Sequence, residues 1–204
     1  MKKYILLIIA ITLSLNISAQ SANDFLKSII EKNKSYKDIS ITFIYEFKNQ
    51  AKGISEKTSG YASMKGNAYL FNINGQEIIS NGNVVWTHLI DEEEVMIGDV
   101  TEDNNTSPIA IIDSFSKNAS VTFVNNNNTN TKTLLVKEIN NKTFETTTIT
   151  VDNDLKLKEI SIKTLDGDTL IYHITKFTTN QDLPDSMFIF NEKLHPNVEI
   201  IDMR

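Results

Sequence analysis

Apolar residues recur along this chain with two periods, and the change from one to the other separates its elements. Between Ser21 and Lys37, the residues Ala22, Phe25, Leu26, Ile29 and Ile30 fall at i, i+3, i+4, i+7 and i+8. That spacing predicts one continuous apolar stripe on a helix. Ser21 stands where an N-cap belongs, and Asp24 three residues later resembles a capping box and suits the positive helix end. Lys27, Glu31, Lys32 and Lys34 take the opposite face, so the helix is expected to lie on a surface with its stripe buried.

From Ile39 the period drops to two. Ile39, Ile41, Phe43, Tyr45 and Phe47 alternate with polar residues, Ile44 being the one break. This predicts a strand with one apolar face. A partner is expected over Thr58–Met64 through a turn near Gly53, followed by strands at Ala68–Asn74, Gln76–Ser80, Val84–Leu89 and Glu94–Val100. Asn81-Gly82 predicts a short hairpin, because both residues tolerate positive φ. Ser107-Pro108 opens a short helix to Ser116 as N-cap and first helical position. Ile109, Ile111, Ile112 and Phe115 make that helix apolar nearly all round, so it must be buried or cover something apolar. Asn125 to Asn128 reads as a loop.

Further strands are expected at Ser120–Val124, Thr133–Ile139, Thr143–Val151, Lys156–Thr164, Thr169–Phe177, Ser186–Phe190 and Val198–Ile201. Asp166-Gly167 closes a hairpin. Read as a two-residue turn, it puts His173 on the face of Ile160, Ile162 and Ile171. Leu155 and Leu157 sit on odd positions, Ile160 and Ile162 on even ones, which predicts a bulge near Glu159. Ten or eleven strands with two helical patches predict a mainly β chain with some α: one curved antiparallel sheet or open barrel, covered by helices.

The N-terminus changes where this domain is expected to work. Lys2 and Lys3 precede a nearly unbroken apolar run from Tyr4 to Leu15, with Ser18 and Ala19 before Gln20. That is the layout of a secretory signal peptide over residues 1–19, leaving one domain over 20–204. The run is shorter than the roughly 20 residues of a membrane span. The two-lysine leader and Asn-rich usage look bacterial, which places the mature protein in the periplasm. The chain has a net charge of −6, and losing the two leader lysines makes it −8. Nucleic acid is therefore not an expected partner, since its affinity rests on cationic contacts. Cys is absent, so there is no disulfide, no thiolate metal site and no cysteine nucleophile.

No catalytic constellation emerges. His88, His173 and His195 lie far apart and lack metal-ligand spacing. His88 and His173 read as core or edge histidines, and His195 as a turn residue. There is no Gly-x-Ser-x-Gly elbow and no phosphate-binding glycine motif. Asp91 to Glu94 lacks the alternating ligand spacing of calcium loops and reads as a solvated corner. The expectation is a non-enzyme with no metal, no cofactor and no catalytic residues. The unusual feature is apolar: Phe43, Tyr45, Phe47, Tyr69, Phe71 and Trp86 crowd the first half. They are either ordinary core or the lining of a cavity for a hydrophobic guest.

The order of these pieces resembles the periplasmic outer-membrane lipoprotein carrier family, LolA. Gly60-Tyr61, Met64-Lys65 and Tyr69-Leu70-Phe71 follow the first strand as in that family. Glu77-Ile78-Ile79-Ser80-Asn81-Gly82-Asn83-Val84-Val85-Trp86 looks like its strand, turn and strand ending in Trp. Ser107-Pro108-Ile109 resembles the opening of its lid helix. Phe188-Ile189-Phe190, with Pro196 to Asp202, is similar to its closing segment. The resemblance implies an unclosed antiparallel barrel with helices as a lid. It implies acyl chains held against Phe43, Tyr45, Phe47, Tyr69, Phe71, Ile79 and Trp86, under a lid carrying Ile109, Ile111, Ile112 and Phe115. The implied partners are acylated lipoproteins, an inner-membrane ABC-type releasing complex, and an outer-membrane receptor or the outer membrane itself, with a monomer as the working form. One departure stands out. Family members latch the lid with an arginine before the Tyr69-Leu70-Phe71 segment, whereas Arg204 is the only arginine here. Lys65 is the nearest cation, without the planar donor fork of arginine.

Two other readings compete. One is a periplasmic sensing or regulatory module of similar fold that binds lipid or lipoprotein. The other is a hydrolase built from scattered residues. No linker or second domain is visible in the pattern, which favours the carrier.

Overall fold

The computed structural model describes residues 21–100, 112, 115, 119–125, 129–138 and 144–204. The leader, Ile109, Ile111 and most of the expected second helix lie outside these residues. Ile112 is helical and Phe115 sits in a turn.

The helical stripe forms α1 (Ala22–Lys34). Ser21 caps it: its hydroxyl oxygen accepts from the Asp24 backbone N–H at 3.1 Å and its O–H donates to the Asp24 carboxylate at 2.7 Å. Phe25, Leu26, Ile29, Ile30 and also Asn33 are buried. Asn33 extends the stripe by one polar position that hydrophobic periodicity passes over.

Among the described residues twelve strands follow: β1 (Ile39–Asn49), β2 (Ile54–Lys65), β3 (Ala68–Ile73), β4 (Gln76–Ser80), β5 (Val84–Leu89), β6 (Glu94–Asp99), β7 (Ala119–Val124), β8 (Thr131–Glu138), β9 (Phe144–Asp152), β10 (Leu157–Thr164), β11 (Asp168–Thr179) and β12 (Glu199–Asp202). They make one sheet in the order β12-β6-β5-β4-β3-β2-β1-β11-β10-β9-β8-β7. The sheet does not close, so it is an open, mostly antiparallel half-barrel. The exception is β12, which runs parallel to β6.

Three local expectations change. Ser186–Phe190 is not a strand: Asp185–Phe188 is a 3-10 helix. Its Phe188 and the following Phe190 pack onto the sheet from a turn, so their spacing reflects docking rather than strand alternation. The Asn81-Gly82 hairpin uses one positive φ, at Gly82 (94°), while the Asn81 side chain accepts from the backbone N–H of Asn83 and Val84. The Asp166-Gly167 hairpin pairs His173 with Glu159 and Tyr172 with Ile160. The loop is therefore one residue longer than a two-residue turn, and His173 faces away from Ile160 and Ile162. The predicted bulge is present: the β9–β10 register shifts between Leu157 and Glu159.

The main core lies on the concave face. There α1 packs Phe25, Leu26, Ile29 and Ile30 against Ile41, Phe43, Phe71, Leu134, Ile149, Ile160 and Ile162, together with Ile112 and Phe115. A second core sits on the convex face, where Leu70, Ile79, Val95 and Ile97 are covered by Phe188 and Phe190.

Candidate functional site, a concave apolar face and its cover

Residues paired directly across a sheet share a face, so register assigns each aromatic side chain. On the concave face, Phe43 pairs with Gly60, and Phe71 with Ala62 and Ile78. Tyr45 pairs with Tyr172, which continues through Ile160 and Ile149 to Leu134. Gly60 is where the chain makes room: a Cβ there would stand 2.5 Å from the Phe43 ring and 2.7 Å from the Asn72 carbonyl oxygen. The Phe43 ring therefore lies over the bare backbone of β2.

The rings form one group. Phe43 stacks on Phe71 with centroids 5.7 Å apart and meets Tyr172 edge-on at 5.4 Å, while Tyr45 lies 5.2 Å from Tyr172. Burial, with the nearby Tyr45, raises the Tyr172 phenol well above its usual pKa, so it stays neutral. Tyr172 is absent from the expected set, because attention to the crowded first half passes over the aromatics of β11. Its alternation with Leu170 and Ile174 is the signal that a correct hairpin length would have aligned. Phe47 and Tyr45 line an opening of about 210 Å³ at one end of this face, beside Glu56 and Thr58. Tyr69, two residues before Phe71 on β3, is buried on the same face.

Ile79 and Trp86 do not join them. Ser63, Leu70, Ile79, Trp86 and Ile97 form one cross-strand row on the convex face. Trp86 is half-buried against the C-terminal segment there. The register that puts Phe71 inside puts Ile79 outside, since Phe71 pairs with Ile78.

The cover of the concave face includes Ile112, fully buried, and Phe115, 5% exposed. Both pack into the same cluster as α1 and the ring group. Lys65 is engaged elsewhere. Its ammonium donates to the Leu183 carbonyl at 2.8 Å and to the Asp185 carboxylate at 2.6 Å, clamping the C-terminal segment. Asp38, just before β1, holds the same segment, accepting from the backbone N–H of Gln181 at 2.8 Å and of Leu183 at 3.3 Å. Burial pushes the Asp38 carboxyl up, but those backbone donors and the charge of Lys65 hold it below its usual value.

The convex face also carries charge. Glu46, 5% exposed, meets His173 at 3.1 Å, Lys48 at 3.2 Å and Lys57 at 3.5 Å. Its hydrogen bond with His173 leads in holding the carboxyl down at about 2, against the upward push of desolvation. The other ring nitrogen of His173 lies 3.0 Å from Glu159. Among the described residues, no group of three or more His, Asp or Glu side chains is arranged to hold a metal ion.

The family model of the outer membrane lipoprotein carrier protein LolA matches residues 65–191. An outer-membrane lipoprotein carrier protein of Francisella philomiragia is 30% identical over 98% of both chains. This chain belongs to the LolA family. Its fold is also that of an uncharacterised conserved protein of Thermus thermophilus, with a TM-score of 0.57 at 9% identity, covering 87% of this chain and 97% of that one. A LolA superfamily protein of Nitrosomonas europaea aligns with a TM-score of 0.44 at 12% identity, over 84% and 99% of the two chains. The LolA match begins at Lys65 and spans the convex row from Leu70 to Ile97, the 3-10 helix with Phe188 and Phe190, and Ile112 and Phe115. It leaves α1, β1 and Gly60, which build much of the concave core, to the full-length relative.

Proposed function

We propose that this chain is a periplasmic carrier that binds the acyl chains of lipoproteins released from the inner membrane and delivers them to the outer membrane. The observation that supports this reading most is the concave ring group of Phe43, Tyr45, Phe71 and Tyr172, covered by Ile112 and Phe115 rather than by another strand. Phe47 and Tyr69 extend the proposed lining, with Ile109 and Ile111 belonging to the same cover. Ile79 and Trp86 serve the other face. Residues 1–19 act as the leader and 20–204 as the carrier domain. The donor is an inner-membrane ABC-type complex, and the acceptor is an outer-membrane receptor or the outer membrane itself.

The energetics suit exchange. The interior is filled by the protein's own side chains, so a guest must displace them. Withdrawing Ile112 and Phe115 costs about 3–6 kcal/mol, at roughly 1.5–3 kcal/mol for each buried side chain. Each methylene of an acyl chain returns about 0.8 kcal/mol when it leaves water. A long acyl chain therefore displaces the cover, and the cover's return favours release without a nucleotide. This role needs no catalytic group.

The test is a fluorescent acyl probe titrated into purified protein, with mass spectrometry of protein taken from its native periplasm. Saturable probe binding and co-purified acylated lipoproteins are expected. A folded Phe115→Glu variant should lose the probe, whereas a folded Trp86→Asp variant keeps it. A flat titration with no acylated cargo would overturn the carrier reading.

A further inference from the structure

The convex face holds a second site that acyl carriage does not use. Tyr61, Asn72, Glu77 and His88 are consecutive partners in one row across β2, β3, β4 and β5. The C-terminal segment folds over this row and leaves a groove of about 510 Å³. His195 closes it, its ring 4.6 Å from that of His88 and stacked 5.0 Å from Phe190.

The groove has acceptors without a matching cation. Glu77 and Glu93 bring two carboxylates, and its lining contains no lysine or arginine. The Tyr61 O–H donates to Glu77 at 3.0 Å, and burial together with Glu77 pushes this phenol up to about 12, so it remains a donor. His88 is 3% exposed, and its Nδ1 is buried with no hydrogen-bond partner among the described residues. A buried polar atom without a partner costs free energy, so such an atom on a residue that lines a groove marks a place for a ligand. The rim is apolar: Ile90 and Leu194 line it while 43% and 72% exposed. A carboxylate-lined floor with an apolar rim fits a cation on an aliphatic stem.

The geometry points to a binding site for an alkyl-ammonium or alkyl-guanidinium group, whose charged head meets Glu77 and Glu93 and whose stem lies along Ile90 and Leu194. The head's N–H groups add a charged donor to Glu77, which accepts otherwise from the neutral Tyr61 O–H, and supply donors to Glu93 and the orphaned imidazole nitrogen. Such a group comes either from a free amine or from a basic side chain of a partner protein.

The test follows the His88 and His195 ring proton signals by NMR, with the full mature chain titrated against butylguanidinium, butylammonium, uncharged pentanol, the tripeptide Ala-Arg-Ala and zinc. Saturable shifts with the two cations but not with pentanol are expected. Glu77→Gln should weaken binding roughly tenfold or more, the scale of a charged hydrogen bond. Glu93→Gln, on an exposed corner, gives a second reading that cannot be confused with misfolding. Tripeptide binding tighter than butylguanidinium assigns the site to a protein partner, and equal binding assigns it to a free amine. Equal binding of pentanol, no saturable shift, or a response to zinc alone would overturn the proposal.

Discussion

On the concave face, Phe43, Phe71, Ile149 and Ile160 are buried by the apolar side chains of α1, Ile112 and Phe115, with Asn33 the one buried polar residue of α1. On the convex face, the same sheet buries Glu46 among His173, Lys48 and Lys57, and buries Ser63 and His88 near Leu70 and Ile79, which lie under a C-terminal segment held by Asp38 and Lys65. The first face depends on area and fit, the second on directional bonds that keep a cover in place. A face held by area exchanges one apolar occupant for another, because the hydrophobic effect has no direction. A face held by charged hydrogen bonds does not, since each lost partner leaves a buried group unsatisfied.

The largest effect should come from the concave face. Phe43→Ala removes the ring stacked on Phe71 and over Gly60, and should cost about 3–5 kcal/mol in denaturant unfolding. A loss below about 1 kcal/mol would mean that this face is not a packed core. Gly60→Val attacks the same contact from the backbone side and should destabilise comparably, because a Cβ would overlap the Phe43 ring, which is 1% exposed, and the Asn72 backbone carbonyl.

A smaller change should follow on the convex face. Asp38→Asn weakens the hold on Gln181 and Leu183 and should cost about 1–3 kcal/mol. Trp86, the single tryptophan, packs against that segment, so its emission should shift red while the concave core remains folded. A cooperative loss of both faces together would show that they are one unit. Acid should act in the same direction. The Asp38 carboxyl is depressed on folding, so its stabilisation is present above the usual value of 3.8 and is lost as pH falls below it. Glu46, held at about 2, gives up its contribution later in the same descent. The Trp86 shift on acidification should therefore begin just below pH 3.8, and a shift already complete at about pH 6, well above the range of either carboxylate, would point to other groups. The least effect is expected at Leu165→Ser on the β10–β11 hairpin, where a 58% exposed side chain should change stability by no more than about 0.5 kcal/mol.

Much of this protein was legible in its sequence because the information is local. The stripe from Ala22 to Ile30, the Ser21 cap, the alternation of β1 and the parity change near Glu159 each depend on neighbours a few residues apart. They appear in the structure close to where the pattern put them. Which face each strand turns inward depends on loop lengths between strands, and there a single residue decides. One extra residue at the Asp166-Gly167 turn moves His173 beside Glu46 and brings Tyr172 to Phe43. The register from Phe71 to Ile78 sends Ile79 and Trp86 to the opposite side. The folding of the C-terminal segment over β3 to β6, the engagement of Lys65 with Asp185, and the meeting of His88 with His195 join residues about a hundred positions apart. No periodicity encodes such contacts, because they exist only once the sheet has curved and its two faces have been covered.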